Sequence, residues 1–203
     1  MALTVESIVR AALDLVNAEG LDSVSTRRLA AVLGVKGPAL YRHFPSMQVL
    51  LGEMSATMLS EGLQAMTPTD DWANWLEQFG HCYRQSLLRY RDGARMLSSS
   101  APTERMRREI VPGIYAPLLR AGFTQREAFH AEGLIAAFVL GWVIHEQNDS
   151  MRTIIEVDAG DTTSAVFDDH MASLILSLRV RFARDGVDAA ALSRERQSPA
   201  YSA

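Results

Sequence analysis

The chain has 203 residues, 48% of them hydrophobic and 22% charged, with only 13 glycines and 7 prolines, a balance that excludes collagen-like, low-complexity and disordered chains. Its formal net charge is −4 and its one cysteine is Cys82, which excludes an internal disulfide scaffold and a paired-cysteine metal centre and makes a reducing cytoplasm the expected setting. The longest uninterrupted apolar run, Gly133 to Ile144, has 12 residues, short of the roughly 18 that cross a bilayer; with Glu6 and Asp14 near the start, neither an export signal nor a membrane span is expected.

Periodicity reads helical nearly throughout. Ile8, Ala12, Leu15 and Val16 recur at helical spacing until Gly20, so residues 4–19 form a first amphipathic helix. Ser25 or Thr26 caps a second, shorter helix through Leu29, Ala30 and Leu33, which Gly34 ends. Pro38 suits the first turn of a very short third helix, 38–43, and Pro45 closes it. Ser46 caps a long fourth helix whose apolar stripe runs through Leu50, Met54, Met58 and Leu63 until Thr67-Pro68. Further helices are expected at 72–91, 103–121, 124–148 and 166–184, with Pro112 and Pro117 bending or splitting the 103–121 segment and Thr124 with Glu127 forming a capping box. The acidic stretch 149–163 reads as a loop, and 186–203 loses periodicity and is expected to fray. The expected fold class is all-α.

Charge is unevenly placed. Between Ser23 and Gly52 there is no carboxylate, while Arg27, Arg28, Lys36, Arg42 and the titratable His43 all fall there; a basic segment in an acidic chain is either a solvated face or the footprint of a polyanion. The same window has the form of a helix-turn-helix. Ala30 must be small where two helices cross, Gly34 permits the turn, and Leu40 plugs the second helix onto the first. That arrangement pushes Lys36, Gly37, Ala39, Tyr41, Arg42 and His43 outward. Arg42 and Lys36 suit phosphates or guanine edges, Tyr41 with Ser25 or Thr26 suits phosphates, and Ala39 suits a thymine methyl.

The run from Ser25 to Phe44, ending Leu40-Tyr41-Arg42-His43-Phe44 and followed by Leu50-Leu51, resembles the DNA-binding domain of the tetracycline-repressor (TetR) family. Trp72, Arg91-Asp92-Gly93-Ala94, Pro102-Thr103-Glu104 and Ala121-Gly122-Phe123 resemble more weakly the regulatory core of the tetracycline repressors themselves. The resemblance implies a homodimeric, ligand-responsive repressor of a palindromic double-stranded DNA operator. Its domains are then a helix-turn-helix DNA-binding domain at 1–47, an effector-binding and dimerisation domain at 48–185 and a frayed tail at 186–203. The DNA-binding set is Ser25, Thr26, Arg27, Lys36, Gly37, Pro38, Ala39, Tyr41, Arg42 and His43. Dimerisation is expected through the helices near 124–148 and 166–184, where Ala131–Ile144 is apolar nearly all round and Met171, Leu174, Ile175, Leu178 and Phe182 form one stripe.

The core departs from the tetracycline repressors. Where their motif reads His-Leu-Gly-Thr-Arg-Pro-Thr-Glu, this chain has Leu97-Ser-Ser-Ser-Ala-Pro102-Thr-Glu104, so Leu97 replaces the metal-binding histidine; Leu63 and Phe79 replace polar positions, and Tyr83 is kept. The departure implies a small apolar or aromatic effector held by some of Leu59, Leu63, Phe79, Tyr83, Leu97, Ser100, Ile114, Leu118, Phe138, Trp142 and His145, with no cofactor, no metal and no catalytic group. For any one of these residues core packing is the simpler role, and His145 beside Glu146 reads more readily as a structural group than as a ligand contact. Cys82, mid-helix, is expected to pack. Two other classes remain open on sequence: a helical hydrolase, though no G-x-S-x-G elbow, phosphate loop or H-E-x-x-H pair is present, and a helical adaptor whose basic window meets an acidic protein.

Overall fold

The computed structural model describes residues 3–184, and among them every regular element is helical. The expected fraying of 186–203 lies outside the described residues. The head is built from α1 (Val5–Glu19), α2 (Thr26–Leu33), α3 (Gly37–Tyr41) and the first turns of α4 (Met47–Leu63). Ile8, Ala12, Leu13 and Val16 of α1 bury against Leu29, Ala30, Leu40, Phe44, Leu50 and Met54. Three of these helices start where a side chain takes an orphan N–H, Thr4, Ser25 and Ser46 accepting from Ser7, Arg28 and Val49 respectively, whereas α3 has no side-chain cap and carries Pro38 in its first turn. Gly20 does close α1 with a positive φ of 86°, but its ψ of 166° is extended rather than left-handed helical, and the chain leaves into a 3-10 turn at Leu21–Ser23.

The core places α5 (Trp72–Leu88) at its centre, with α4 on one side and α8 (Gln125–Glu146) and α10 (Thr163–Arg184) on the other; α7 (Val111–Arg120) packs on α8. Trp72, Phe123 and Phe182 close one end, with ring centroids 4.6–6.0 Å apart. The Thr124–Glu127 capping box forms as expected. In α8, 22 residues long with a mean hydropathy of 1.5 over its most apolar window, length and composition reach what a membrane crossing needs. The sequence expectation counted uninterrupted runs, and Glu132 breaks this one; here the helix packs on α5, α7 and α10.

Three segments differ from expectation, and a fourth, 103–121, bends as expected. Residues 149–163 are not a loop: α9 (Asp149–Ala159) is capped by Asn148, which accepts from Ser150 and Met151, and ends at Gly160 with φ 67°. No residue of α9 is buried, so the apolar periodicity that reveals other helices is missing. A short α6 (Gly93–Ser98) stands where no helix was expected; a Cβ on Gly93 would meet the Leu87 carbonyl oxygen at 2.0 Å, so only glycine permits that approach. The fourth helix stops at Leu63, with Ala65 and Met66 folding back in i→i+3 turns. The 103–121 segment bends through a π turn at Met106–Ile110 just before Pro112, whose ring and missing N–H disturb the ladder there, while Pro117 sits inside α7.

Candidate functional site

In the head, Gly34 takes the left-handed conformation, φ 66°, and the Val35 N–H donates to the Ala30 carbonyl at 3.0 Å, turning the chain back within two residues. Ala30 and Leu40 are both 5% exposed, which fixes α3 across α2. Outward from that contact Ser25, Arg27, Lys36, Pro38, Tyr41 and Arg42 are exposed, whereas Thr26, Gly37, Ala39 and His43 are half-buried. The outward set of α3 is therefore narrower than its short sequence suggests, because a five-residue helix anchored by Leu40 turns only part of its circumference to solvent. The Thr26 and Tyr41 hydroxyls lie 3.4 Å apart, which steadies Tyr41 although the residue is 58% exposed.

Arg27, Lys36 and Arg42 make no ion pair among the described residues. Arg28 differs: it grips Glu19 through two nitrogens, and that hydrogen bond holds the Glu19 carboxyl below the usual carboxylate range. One charge of the acid-free window is thus tied to a carboxylate from α1, outside the window. Three cations and a tyrosine hydroxyl on one surface suit successive phosphates and base edges of a duplex.

The core encloses a cavity of 240 Å³. Leu59 and Leu63 of α4, Phe79, Tyr83 and Ser86 of α5, Ile114 of α7, and Glu132 and Ala136 of α8 line it, and Pro102, Met106, Arg107, Ile110 and Val111 complete the wall. Phe79 and Tyr83 stack at 5.6 Å with planes 6° apart. Burial pushes the Tyr83 phenol well up, and it raises the Tyr115 phenol to about 12, helped by nearby Glu132. Glu132 is itself raised by burial, partly offset by the Tyr115 hydroxyl 3.5 Å from its carboxylate. An open cleft of 270 Å³ between the end of α4 and α7 shares Leu63, Ile110 and Ile114 with the cavity, so the two spaces adjoin at these three residues.

Five of the eleven expected effector residues meet there: Leu59, Leu63, Phe79, Tyr83 and Ile114. The other six do not. Leu118 is fully buried in packing, Leu97 is half-buried on α6, and the Ser100 hydroxyl donates to the Leu97 carbonyl at 2.8 Å. Phe138 stacks on Phe167 at 5.5 Å, and Trp142 meets His170 edge-on at 5.2 Å. These two face α10 because six and ten residues along a helix rotate their side chains about 120° and about 80° away from Glu132. His145 is exposed; its neighbour Glu146 is buried and accepts from two of the three Arg84 nitrogens. Cys82 is half-buried, and burial raises its thiol. Among the residues that sequence reasoning passed over, Glu132 had a readable signal, an acid opening an otherwise apolar run. Met106, Arg107 and Ile110 had none, since the π turn that buries Met106 and Ile110 and leaves Arg107 exposed at the rim has no sequence period of its own.

Comparison with known proteins matches residues 8–54 to "Bacterial regulatory proteins, tetR family" and residues 65–174 to "Tetracyclin repressor-like, C-terminal domain". The chain belongs to the tetracycline-repressor family. It is 36% identical over 187 residues to the class A tetracycline repressor protein from transposon 1721 of Escherichia coli, covering 91% of this chain and 83% of that one. With the class C repressor of Escherichia coli it shares 37% over 144 residues, 70% of this chain and 65% of that protein's length. A TetR variant from Acinetobacter baumannii AYE, solved in complex with minocycline, superposes with a TM-score of 0.73 at 32% identity, covering 89% and 98% of the two chains. Members of this family are DNA-binding, ligand-responsive transcriptional regulators that act as dimers, and the TetR fold, a helix-turn-helix head on a helical core, is the one described above.

Proposed function

We propose that this TetR-family chain is a homodimeric repressor that leaves a palindromic operator when a small apolar or aromatic effector fills the 240 Å³ cavity. The observation that carries the reading is the path of α4, whose first turns carry Leu50 and Met54 into the head's core while its last turn puts Leu59 and Leu63 into the cavity wall. Three further contacts tie core to head. The Leu21 N–H donates to Asp92 at 2.7 Å, Arg95 pairs with Asp22, and Arg10 pairs with Glu61 at 2.6 Å. A Cβ on Gly52 of α4 would lie 2.7 Å from the Ala101 carbonyl oxygen, next to Pro102 of the cavity wall, so the loop sits directly on α4. A ligand that displaces this wall moves both ends of α4, and a coupling of about 1–3 kcal/mol is ordinary for allostery.

Leu97, in place of the metal-binding histidine, supports an effector other than a metal-chelated drug. The head residues Ser25, Thr26, Arg27, Lys36, Gly37, Pro38, Ala39, Tyr41, Arg42 and His43 form the operator face, with Gly37 and Ala39 permitting close approach rather than presenting side chains. Dimerisation uses α8 and α10. Leu134, Ala137 and Ile144 share one exposed stripe of α8, and Leu176 and Val180 are 63% and 51% exposed on α10; apolar faces of this kind bury against a twofold-related copy.

The test is fluorescence anisotropy with duplexes from the intergenic DNA flanking the gene and with scrambled duplexes, at two salt concentrations. Selective binding of two subunits per site, weakening with salt as phosphate contacts are lost, is expected. Equal binding to both duplexes at both salts would overturn the reading.

A further inference from the structure

Resting on the reading of the cavity as the effector site, we propose that the effector is a cationic amphiphile, an aromatic or aliphatic body carrying one protonated amine, and that Glu132 is the residue that selects it. The wall of the cavity is apolar except for a few groups, and those are unequal. The Ser86 hydroxyl is already committed, donating to the Cys82 carbonyl at 2.7 Å. Arg107 stands at the wall but its side chain is 67% exposed and lies 3.4 Å from Glu104, so its charge is screened by water and already paired. Tyr83 is a neutral phenol whose burial keeps it protonated. Glu132 alone brings a carboxylate into this space, and its one polar contact among the described residues is the Tyr115 hydroxyl at 3.5 Å, the outer limit of a hydrogen bond. No cation among the described residues pairs with it. Burial accordingly raises its carboxyl above the usual range, the response of an acid whose charge lacks a partner.

A half-buried charge kept without a partner costs stability that packing alone would not demand. An ammonium entering the cavity restores the missing partner through a charge-assisted hydrogen bond to Glu132, while Phe79, Tyr83, Leu59 and Leu63 receive the apolar body and offer ring faces to the cation. A neutral ligand of the same shape gains the apolar contact only. A carboxylate ligand meets like charge.

The test uses three probes of one shape, 4-phenylbutylamine, 4-phenylbutanol and 4-phenylbutanoate, titrated calorimetrically into the full-length protein at pH 7.5. The amine is expected to bind roughly tenfold or more tighter than the alcohol, the scale of a hydrogen bond to a charged group, and the acid weakest. Glu132→Gln should erase the preference, amine and alcohol then binding alike, and Tyr115→Phe, which keeps the carboxylate, should preserve it; a thermal melt of each variant shows that it is folded. Equal binding of amine and alcohol, tighter binding of the acid, no binding of the amine, or a preference that survives in Glu132→Gln would overturn the proposal. Operator anisotropy in the same samples separates the two levels: if the alcohol releases operator as well as the amine, the cavity is the effector site but does not select charge, whereas failure to bind operator without any ligand counts against the regulator itself.

Discussion

The head and the core of this protein solve opposite problems. In the head, a compact apolar centre of Ile8, Leu13, Leu29, Leu40 and Met54 leaves a thin outer layer for recognition, and the residues of that layer fall within a single window of sequence, 25–43. In the core, packing is left incomplete around 240 Å³, and the residues that face the gap come from α4, α5, α7, α8 and the π turn, more than seventy positions apart from Leu59 to Ala136. Recognition of a long polyanion needs exposed side chains at short spacing; recognition of a small molecule needs walls from several directions. The first therefore leaves a local trace in sequence and the second does not.

The sharpest way to break this comparison is to strip the outer layer of the head without touching its centre. Tyr41→Ala combined with Arg42→Ala should lower operator affinity by about 2–6 kcal/mol if each residue supplies a contact of about 1–3 kcal/mol, with the melting temperature unchanged because both are exposed. Anisotropy and calorimetry on one preparation check both halves. Leu40→Ala inverts the experiment: it should destabilise the protein by about 2–5 kcal/mol, as for other buried leucines, and weaken operator binding only through loss of the folded head, seen as denaturation midpoint and affinity falling together.

Asp71→Ala probes the core where it is well packed. Burial acts to raise this carboxyl, but the Arg179 hydrogen bond at 2.7 Å and the N–H groups of Ala73 and Asn74 outweigh it and hold it below the usual range. Loss of the cap should cost about 0.5–2 kcal/mol in urea denaturation. A carboxyl so lowered stabilises above its ordinary value and loses that contribution as pH falls through its folded value, so the gap between Asp71→Ala and the parent should close in acid. The smallest effect should come from the cavity. Because Glu132 is raised by burial, its contribution is fully present below the ordinary glutamate value and is lost as pH rises through the raised one. Glu132→Gln should therefore melt higher than the parent at neutral pH and converge with it near pH 4, about the ordinary glutamate value.

How much of this was legible in sequence follows from which forces shaped each segment. The caps at Ser25, Ser46 and Thr124, the turn at Gly34 and the buried pair Ala30–Leu40 were readable because local chemistry decides them. Helix α9 was not, since it buries no residue and only its caps, Asn148 and Gly160, announce it. Helix α6 was hidden by its length and by Gly93, which serves a tertiary contact with the Leu87 carbonyl. In the cavity wall, Leu59 with Leu63 on α4 and Phe79 with Tyr83 on α5 lie four residues apart and so share a helix face, and the resemblance to the tetracycline repressors pointed to Leu63, Phe79 and Tyr83. Phe138 and Trp142 were grouped with them on chemistry, but their angular position on α8 turns them toward Phe167 and His170. The tie of Arg28 to Glu19 was equally invisible, because it joins two helices across a turn.

The most direct measurement is a hydroxyl-radical footprint of the full-length protein on the intergenic DNA flanking its gene, run beside the Tyr41→Ala, Arg42→Ala double variant. Two protected patches on one face of the duplex, one helical turn or a whole multiple apart, and lost in the folded double variant, are the expected result. Uniform protection along the DNA, or a footprint that persists without Tyr41 and Arg42, would contradict the assignment of the α3 surface as the operator-reading face.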